Sequence, residues 1–296
     1  MIKYFFLCIF IIFSEFVFSQ NDSLSNYMQM EKQGDLIYER FNWEFANNTP
    51  LNYFKLGYGP VCSVQIDTRL YSFKNLEEIT FYAIRDFDPI IDLSMFEKLK
   101  AINFYNCSYD FIDSIFVFAK KCKIEKISFR FQSIPEFPDG FLKIETLKEL
   151  EFIFCIINTI PTNFSNLDKL EKLSLEYSFI RRIDSSAFLG LANLERINFI
   201  NTPVFLNISF DNFYNLIAPC KSLKSITLGN TGLTKFPYEF GNFPMLEELG
   251  ISEVNIKAFD SKRIGLCKLK ILNLTGSSIY EVSGCYKDIP ELYLGK

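Results

Sequence analysis

An apolar frame at first, fourth and sixth positions recurs through most of this chain and limits what the chain can fold into. The stretch from Leu147 to Pro161 shows it most plainly. Leu147, Leu150 and Phe152 hold the frame, Ile157 and Ile160 follow at the eleventh and fourteenth positions, and a proline closes it. Neither the period of an amphipathic helix nor the alternation of one long strand produces those spacings. They fit a short strand, a sharp turn and a return limb, each with one face turned inward.

The frame appears as Leu76-Ile79-Phe81, Leu99-Ile102-Phe104, Ile124-Ile127-Phe129, Leu147-Leu150-Phe152 and Leu170-Leu173-Leu175. It continues as Leu194-Ile197-Phe199, Leu223-Ile226-Leu228, Leu246-Leu249-Ile251 and Leu269-Leu272-Leu274. Successive copies start 23, 25, 23, 23, 24, 29, 23 and 23 residues apart, and Ile289-Leu292-Leu294 begins a tenth. This array resembles the leucine-rich-repeat family, whose pattern L-x-x-L-x-L-x-x-N/C-x-L recurs every 20 to 29 residues. The resemblance implies an α/β solenoid: a curved right-handed coil with a parallel β-sheet on the concave face and short helical or 3-10 turns on the convex face. The fourth and sixth side chains, two apart in a strand, then point together into a core shared by all repeats.

The second limb carries its own pattern. Phe137-Pro138, Ile160-Pro161 and Phe236-Pro237 stand at the fourteenth position and its successor, where proline fixes an extended corner. Phe141/Ile144, Phe164/Leu167, Phe188/Leu191 and Phe240/Phe243 follow at helical spacing, so a phenylalanine spine is expected on the convex side. The ninth position holds Ile84, Cys107, Gln132, Cys155, Ser178, Thr202, Thr231, Val254 and Ser277. The family's turn asparagine is absent from all of these. Ser, Thr, Cys and Gln can replace its hydrogen bonds in part, whereas Ile84 and Val254 cannot. About six extra residues in the repeat from Leu194 fall within Pro203–Cys220.

Three segments follow from this reading. Residues 1–19, with Lys3, an apolar run from Tyr4 to Phe13 and Val17-Phe18-Ser19, resemble a secretory signal peptide cleaved after Ser19. Residues 20–75 form an N-terminal cap and irregular first repeat. Asp22-Ser23 opens a short helix carrying Leu24, Tyr27 and Met28, and Val64 and Ile66 form the first strand. Residues 76–296 are the repeats. After cleavage no apolar run is long enough to span a membrane. The expected location is therefore exported: secreted, periplasmic or at the cell surface. The cleavage site and the composition, rich in Phe, Ile, Asn and Lys, are similar to those of exported proteins of Gram-negative bacteria.

Chemistry is sparse. With no histidine in the chain, Ser-His-Asp and Cys-His catalysis and the common histidine-containing zinc sites are excluded. No Walker loop, dinucleotide fingerprint or nucleophile elbow is present. Asp86, Asp88 and Asp92 lack the glycine and bidentate glutamate of a calcium loop. No enzyme activity, cofactor or metal is expected. Seven cysteines follow the signal segment, an odd number. Cys107 and Cys155, two repeats apart, should lie roughly 10 Å from each other, too far to bridge. Cys267 and Cys285 flank the last full repeat and are the better candidate pair.

In the resembled family the concave face is the usual binding surface. Here positions two and three mix Glu77, Glu78, Glu125, Glu149, Glu171, Glu195, Glu247 and Glu248 with Lys100, Lys126, Lys148, Lys172, Arg196, Lys224 and Lys270. Interspersed signs predict cross-strand pairs rather than an electrostatic funnel, and nucleic acid is not expected. Positions seven and eight of the first five repeats present Tyr82, Tyr105, Arg130, Phe131, Phe154 and Tyr177, residue types that anchor partners. These are the candidate binding residues of a non-catalytic module recognising a protein or glycan. The alternative is a structural or adhesive surface protein in which the array is a spacer or assembles edge to edge.

Overall fold

The computed structural model describes residues 28–33, 36–41, 53–56, 62–65, 71, 73–88, 91–117, 121–254, 256, 258–260, 266–279 and 281–294; the expected signal segment, 1–19, lies outside them. The chain divides into two units, Met1–Leu51 and Asn52–Lys296. In the first, Met28–Gln33 pairs antiparallel with Leu36–Phe41. Met28 therefore opens a strand and not the expected helix, whose Leu24 and Tyr27 lie outside the described residues.

The second unit is a coil whose inner wall is one sheet of eleven strands. Nine are Glu78–Tyr82, Ala101–Tyr105, Lys126–Arg130, Glu149–Ile153, Lys172–Glu176, Arg196–Asn198, Ser225–Thr227, Glu248–Gly250 and Ile271–Leu274, one per full frame. Glu291–Leu294 belongs to the tenth frame and pairs parallel with Ile271–Leu274. The sheet begins at Tyr53–Leu56, within the expected irregular first repeat but ahead of the strand expected at Val64 and Ile66. Tyr53–Leu56 pairs with Glu78–Tyr82 in a register that sets Phe54 beside Ile79 and Leu56 beside Phe81. Phe54 and Leu56 thus hold the fourth and sixth positions of a further frame. Val64 belongs to a strand, Cys62–Gln65, that pairs instead with Ile84–Asp88 in a separate two-stranded sheet.

Registers are in step from repeat to repeat: Leu150 lies beside Ile127 and Leu173, and Phe152 beside Phe129 and Leu175. Positions one, four and six are buried in every full repeat. Each such side chain contributes about 1.5–3 kcal/mol of burial, but only because the neighbouring repeats supply the other walls of its pocket. At position six, Phe81, Phe104, Phe129 and Phe152 stack with centroids 5.5, 5.2 and 5.2 Å apart. The convex spine forms as well: Phe116 meets Phe141 at 5.4 Å, Phe137 meets Phe164 at 5.7 Å, and Phe164 meets Phe188 at 6.0 Å.

Most convex limbs turn through 3-10 segments such as Phe141–Lys143, Thr162–Asn166 and Tyr238–Asn242. The two longest repeats replace this turn with an α-helix of eight residues, Tyr109–Phe116 and Phe210–Ile217. Ser108 and Ser209 cap them, each accepting a backbone N–H three residues on. The extra residues of the repeat from Leu194 are therefore structural: Phe213 is fully buried, against Phe199 and Phe205. Successive limbs approach so closely that a β-carbon on Gly140 would collide with the Phe116 carbonyl oxygen.

The ninth position replaces its missing asparagine with a ladder of short polar groups. Cys107 Sγ donates to the Phe81 carbonyl (3.4 Å), Cys155 Sγ to Phe129 (3.3 Å), Ser178 Oγ to Phe152 (3.2 Å) and Ser277 Oγ to Ile251 (2.9 Å). Thr202 makes the same bond to Leu175. Each donor satisfies a sixth-position carbonyl of the preceding repeat, at a corner where the backbone leaves the sheet. Cys107 and Cys155 are unbridged and buried, and Cys267 and Cys285 form a disulfide with Cα atoms 5.7 Å apart. Both expectations hold.

Candidate partner-binding surface

Position eight sets the geometry of the surface. Its φ is positive in all nine full repeats: Ala83, Asn106, Phe131, Phe154, Tyr177, Asn201, Asn230 and Glu253 lie between 51° and 55°, and Gly276 at 71°. One bond explains the recurrence. The position-eight N–H donates to the position-seven carbonyl of the next repeat, as Phe131 to Ile153 (3.0 Å), Phe154 to Glu176 (3.0 Å) and Tyr177 to Ile200 (2.9 Å). The chain keeps this last rung of the ladder while it turns the corner, and the left-handed conformation is the cost. Asn and Gly take that conformation readily; an aromatic side chain is an outlier there. Three consecutive repeats nevertheless place Phe131, Phe154 and Tyr177 at it.

The rings form a continuous stack. Tyr82 and Tyr105 lie 4.7 Å apart and nearly parallel, Tyr105 leans onto Phe131 at 5.1 Å, Phe131 stacks on Phe154 at 5.0 Å, and Phe154 on Tyr177 at 4.7 Å. The step from position seven to position eight occurs between Tyr105 and Phe131, where Arg130 takes the rung beside Tyr105. All five rings are at least partly exposed, Tyr177 the most at 44%. Burial pushes the Tyr105 phenol up to about 12, with Tyr82 adding to the effect and Arg130 opposing it. All six sequence-derived candidates thus fall together along one rim of the inner sheet. Arg130 is exposed, and its side chain makes no hydrogen bond or ion pair among the described residues.

Below this rim the sheet neutralises itself. Lys148 pairs with Glu125 (3.1 Å), Lys224 with Glu195 (2.6 Å), Lys270 with Glu247 (2.8 Å) and Arg196 with Glu248 (3.3 Å). Glu149 bonds Lys172, which holds its carboxyl below the usual range, and lies 3.6 Å from Lys126. These are the expected cross-strand pairs, and they leave a face without a dominant sign.

Sequence reasoning missed the flank. Strands Ile156–Ile160 and Phe179–Ile183 turn outward from the corner, with Ile156 beside Phe179. Ile156 is 44% exposed and Phe179 39%. Each sits two residues beyond a ring of the stack, so apolar surface continues around the corner. The signal was the alternation of exposed Ile156 with buried Ile157, and of Phe179 with Ile180.

Burial raises Cys107 to about 11 and Cys155 and Cys220 to about 12, so all stay protonated at neutral pH. Among the described residues no three His, Cys, Asp or Glu side chains group as a metal site. Asp92 caps a turn, accepting from the Ser94 N–H (2.9 Å) and hydroxyl (2.6 Å); the side chains of Asp86 and Asp88 lie outside the described residues. No described helix is long and apolar enough to cross a membrane.

No family model matches the chain. The protein named "Probable serine/threonine-protein kinase pats1" of Dictyostelium discoideum is 32% identical over 160 residues, which is 50% of this chain but only 5% of that protein. Among solved structures, the FLRT2 leucine-rich-repeat region, in a complex with Latrophilin 3 and Unc5D, matches with a TM-score of 0.59 and 15% identity, over 89% of this chain and 81% of that one. A TLR13 chain in complex with a single-stranded RNA matches with a TM-score of 0.58 and 19% identity, over 82% of this chain and 37% of that one. At such identities the likeness concerns the backbone. With its in-step frames, parallel inner sheet and 3-10 or helical outer turns, this chain is a leucine-rich-repeat solenoid.

Proposed function

We propose that this solenoid is an exported, non-catalytic recognition module that binds a protein through the aromatic rim of its N-terminal repeats. One observation carries the reading: three adjacent repeats keep partly exposed aromatic rings in a strained backbone conformation that Asn or Gly would occupy at lower cost. Strain retained where nothing in the core demands the ring points to use of the ring. The Cys267–Cys285 disulfide supports an oxidising, exported setting. The fold by itself does not select the ligand, since one neighbour is solved with proteins and another with RNA.

The test is a pull-down from the native extracellular setting with residues 20–296, read by mass spectrometry beside Phe154→Asn and Tyr105→Ala. Circular dichroism confirms that each variant is folded. Partners recovered by the parent and lost by both variants support the rim as the site. Equal recovery by all three proteins refutes it.

A further inference from the structure

The stack of rings ends abruptly at Tyr177. Phe154 lies against one of its faces at 4.7 Å, and among the described residues no ring lies against the other. One repeat on, position eight holds Asn201, whose carboxamide oxygen accepts from Asn230 Nδ2 (2.9 Å) and so is directed away from Tyr177. The next position seven is a glycine, Gly229. The rim therefore steps down past Tyr177, and the free face of its ring borders the step.

A carboxylate stands at the same step. Glu176 occupies position seven, between Ile153 and Ile200 of the adjoining repeats. Its Oε1 accepts from Ser174 Oγ (2.9 Å) and from Asn198 Nδ2 (2.8 Å). The second bond draws the group toward the next repeat, the side on which the free ring face lies. Its Oε2 makes no hydrogen bond or ion pair among the described residues. No base of the chain neutralises it there. Lys172, at the start of the same strand, bonds Glu149, and Arg196 on the next strand pairs with Glu248 at 3.3 Å. Arg130 lies two rungs away across Ile153, roughly 10 Å at the strand spacing. Arg181 and Arg182 belong to the flanking strand Phe179–Ile183, Arg182 paired with Asp184 at 3.2 Å. Glu77, Glu78 and Glu171 on the inner sheet also lack a basic partner, but at positions two and three they lie at the far end of the strand from the rings. What sets Glu176 apart is its setting: a carboxylate fixed by two donors, in an apolar row, beside an open aromatic face.

We infer that this step is a subsite for the side-chain cation of a lysine or arginine on the partner protein. The cation lies over the free face of Tyr177, within the ~6 Å at which the ring quadrupole attracts it, and donates to Glu176 Oε2. Charge complementarity selects this occupant, because the ring face and the carboxylate both favour positive charge. A partner's aromatic ring could continue the stack, but it would cover the Glu176 carboxylate without pairing it, which costs free energy. The assignment rests on the rim being the binding site, as proposed above, and adds a specificity determinant at its end.

The experiment measures binding of three fluorescein-labelled peptides to residues 20–296 by fluorescence anisotropy at low salt. Each alternates leucine and phenylalanine with serine over about six residues, the extended length that covers the four strand intervals from Tyr82 to Tyr177, roughly 19 Å. Lysine, norleucine or glutamate stands at both ends, so that either chain direction presents it to the step. The lysine peptide should bind about tenfold more tightly than the norleucine peptide, for one ring contact and one exposed ion pair, and the glutamate peptide more weakly than both. Glu176→Gln keeps an acceptor for Ser174 and Asn198 and should remove most of the preference for lysine. Tyr177→Asn, which suits the left-handed position, should do the same, whereas Arg130→Gln should leave the preference in place. Circular dichroism confirms that each variant is folded. Equal binding of the lysine and norleucine peptides, binding of none, or a lysine preference that survives Glu176→Gln overturns the inference. If Phe154→Asn weakens all three peptides while lysine and norleucine bind alike, the rim stands and the cation subsite falls. If Phe154→Asn has no effect while Glu176→Gln removes the preference, the rim reading fails instead.

Discussion

Replacing Phe154 by Ala and by Gly separates the ring from the backbone that carries it. Both substitutions remove the same ring contacts, to Phe131 at 5.0 Å and Tyr177 at 4.7 Å, a common loss of about 1–3 kcal/mol at 0.5–1.5 kcal/mol per pair. They differ in one respect. Alanine keeps a β-carbon at φ 55°, which costs about 1–2 kcal/mol, whereas glycine has none. Glycine's greater freedom in the unfolded chain returns about 0.5–1 kcal/mol of that difference. Phe154→Gly should therefore be more stable than Phe154→Ala by about 0.5–1 kcal/mol, the reverse of the usual order. Ser174, within the regular strand Lys172–Glu176, is the control, where Ala should exceed Gly by about 0.5–1 kcal/mol. Urea unfolding with unchanged m-values reads both differences. If Ala exceeds Gly at 154 by the same margin as at 174, the left-handed strain is not a real cost and the case for the rim loses its foundation.

Further expectations concern the supports of the surface. Cys267→Ser with Cys285→Ser opens a loop with a sequence separation of 18 and should cost about 3 kcal/mol, seen as faster amide exchange in the last repeats than in the repeat from Leu147. Gly140→Ala should lower the unfolding free energy, read from urea titration, by well over the typical ~1 kcal/mol of a point substitution, because the backbone of Phe116 cannot yield as a side-chain tip would. Cys107, Cys155 and Cys220 should resist a thiol reagent at pH 8 in the folded protein, with pKa values of about 11, 12 and 12, and react once it unfolds. Glu149 has a lowered pKa from its bond to Lys172. Its contribution is present above the ordinary carboxylate range and is lost as pH falls through the lowered value. At 30% side-chain exposure it amounts to less than about 1 kcal/mol. Glu149→Gln should flatten the thermal midpoint's decline between about pH 5 and 3 by that small amount.

The repeat was legible because burial imposes it: a strand with one wet face must show its core positions at a spacing of two, and Leu150 and Phe152 do, with Leu147 three residues ahead of them. The Phe spine and the Cys267–Cys285 pair followed from counting repeats. The corner did not. Left-handed positions announce themselves through Gly or Asn, and Phe131, Phe154 and Tyr177 disguise three of them. Sequence positions also separated what space joins. Tyr105 at position seven and Phe131 at position eight belong to one stack, because a side chain leaning along the strand crosses the offset. The strand at Tyr53–Leu56 was hidden by Phe54 standing for leucine and by the Gly57-Tyr58-Gly59-Pro60 loop signal directly after it. The flank at Ile156 and Phe179 was hidden because position ten has no recurring residue type, holding Arg85, Ser108 and Ser133 in the preceding repeats.

The disulfide has a mechanical consequence. In a linear array, order is lost as a moving boundary that crosses one repeat interface at a time. Cys267 and Cys285 stand in neighbouring repeats, Cys267 within the 3-10 turn Leu266–Lys268 and Cys285 directly before the turn Tyr286–Asp288. A boundary travelling inward from the Glu291–Leu294 strand therefore cannot cross these two repeats separately, and they must detach as one block. Under a stretching force applied beyond Glu291–Leu294, that strand should release first, and the rupture after it should release both cross-linked repeats at once. The chain between the two cysteines would add nothing to the extension until the bond is reduced.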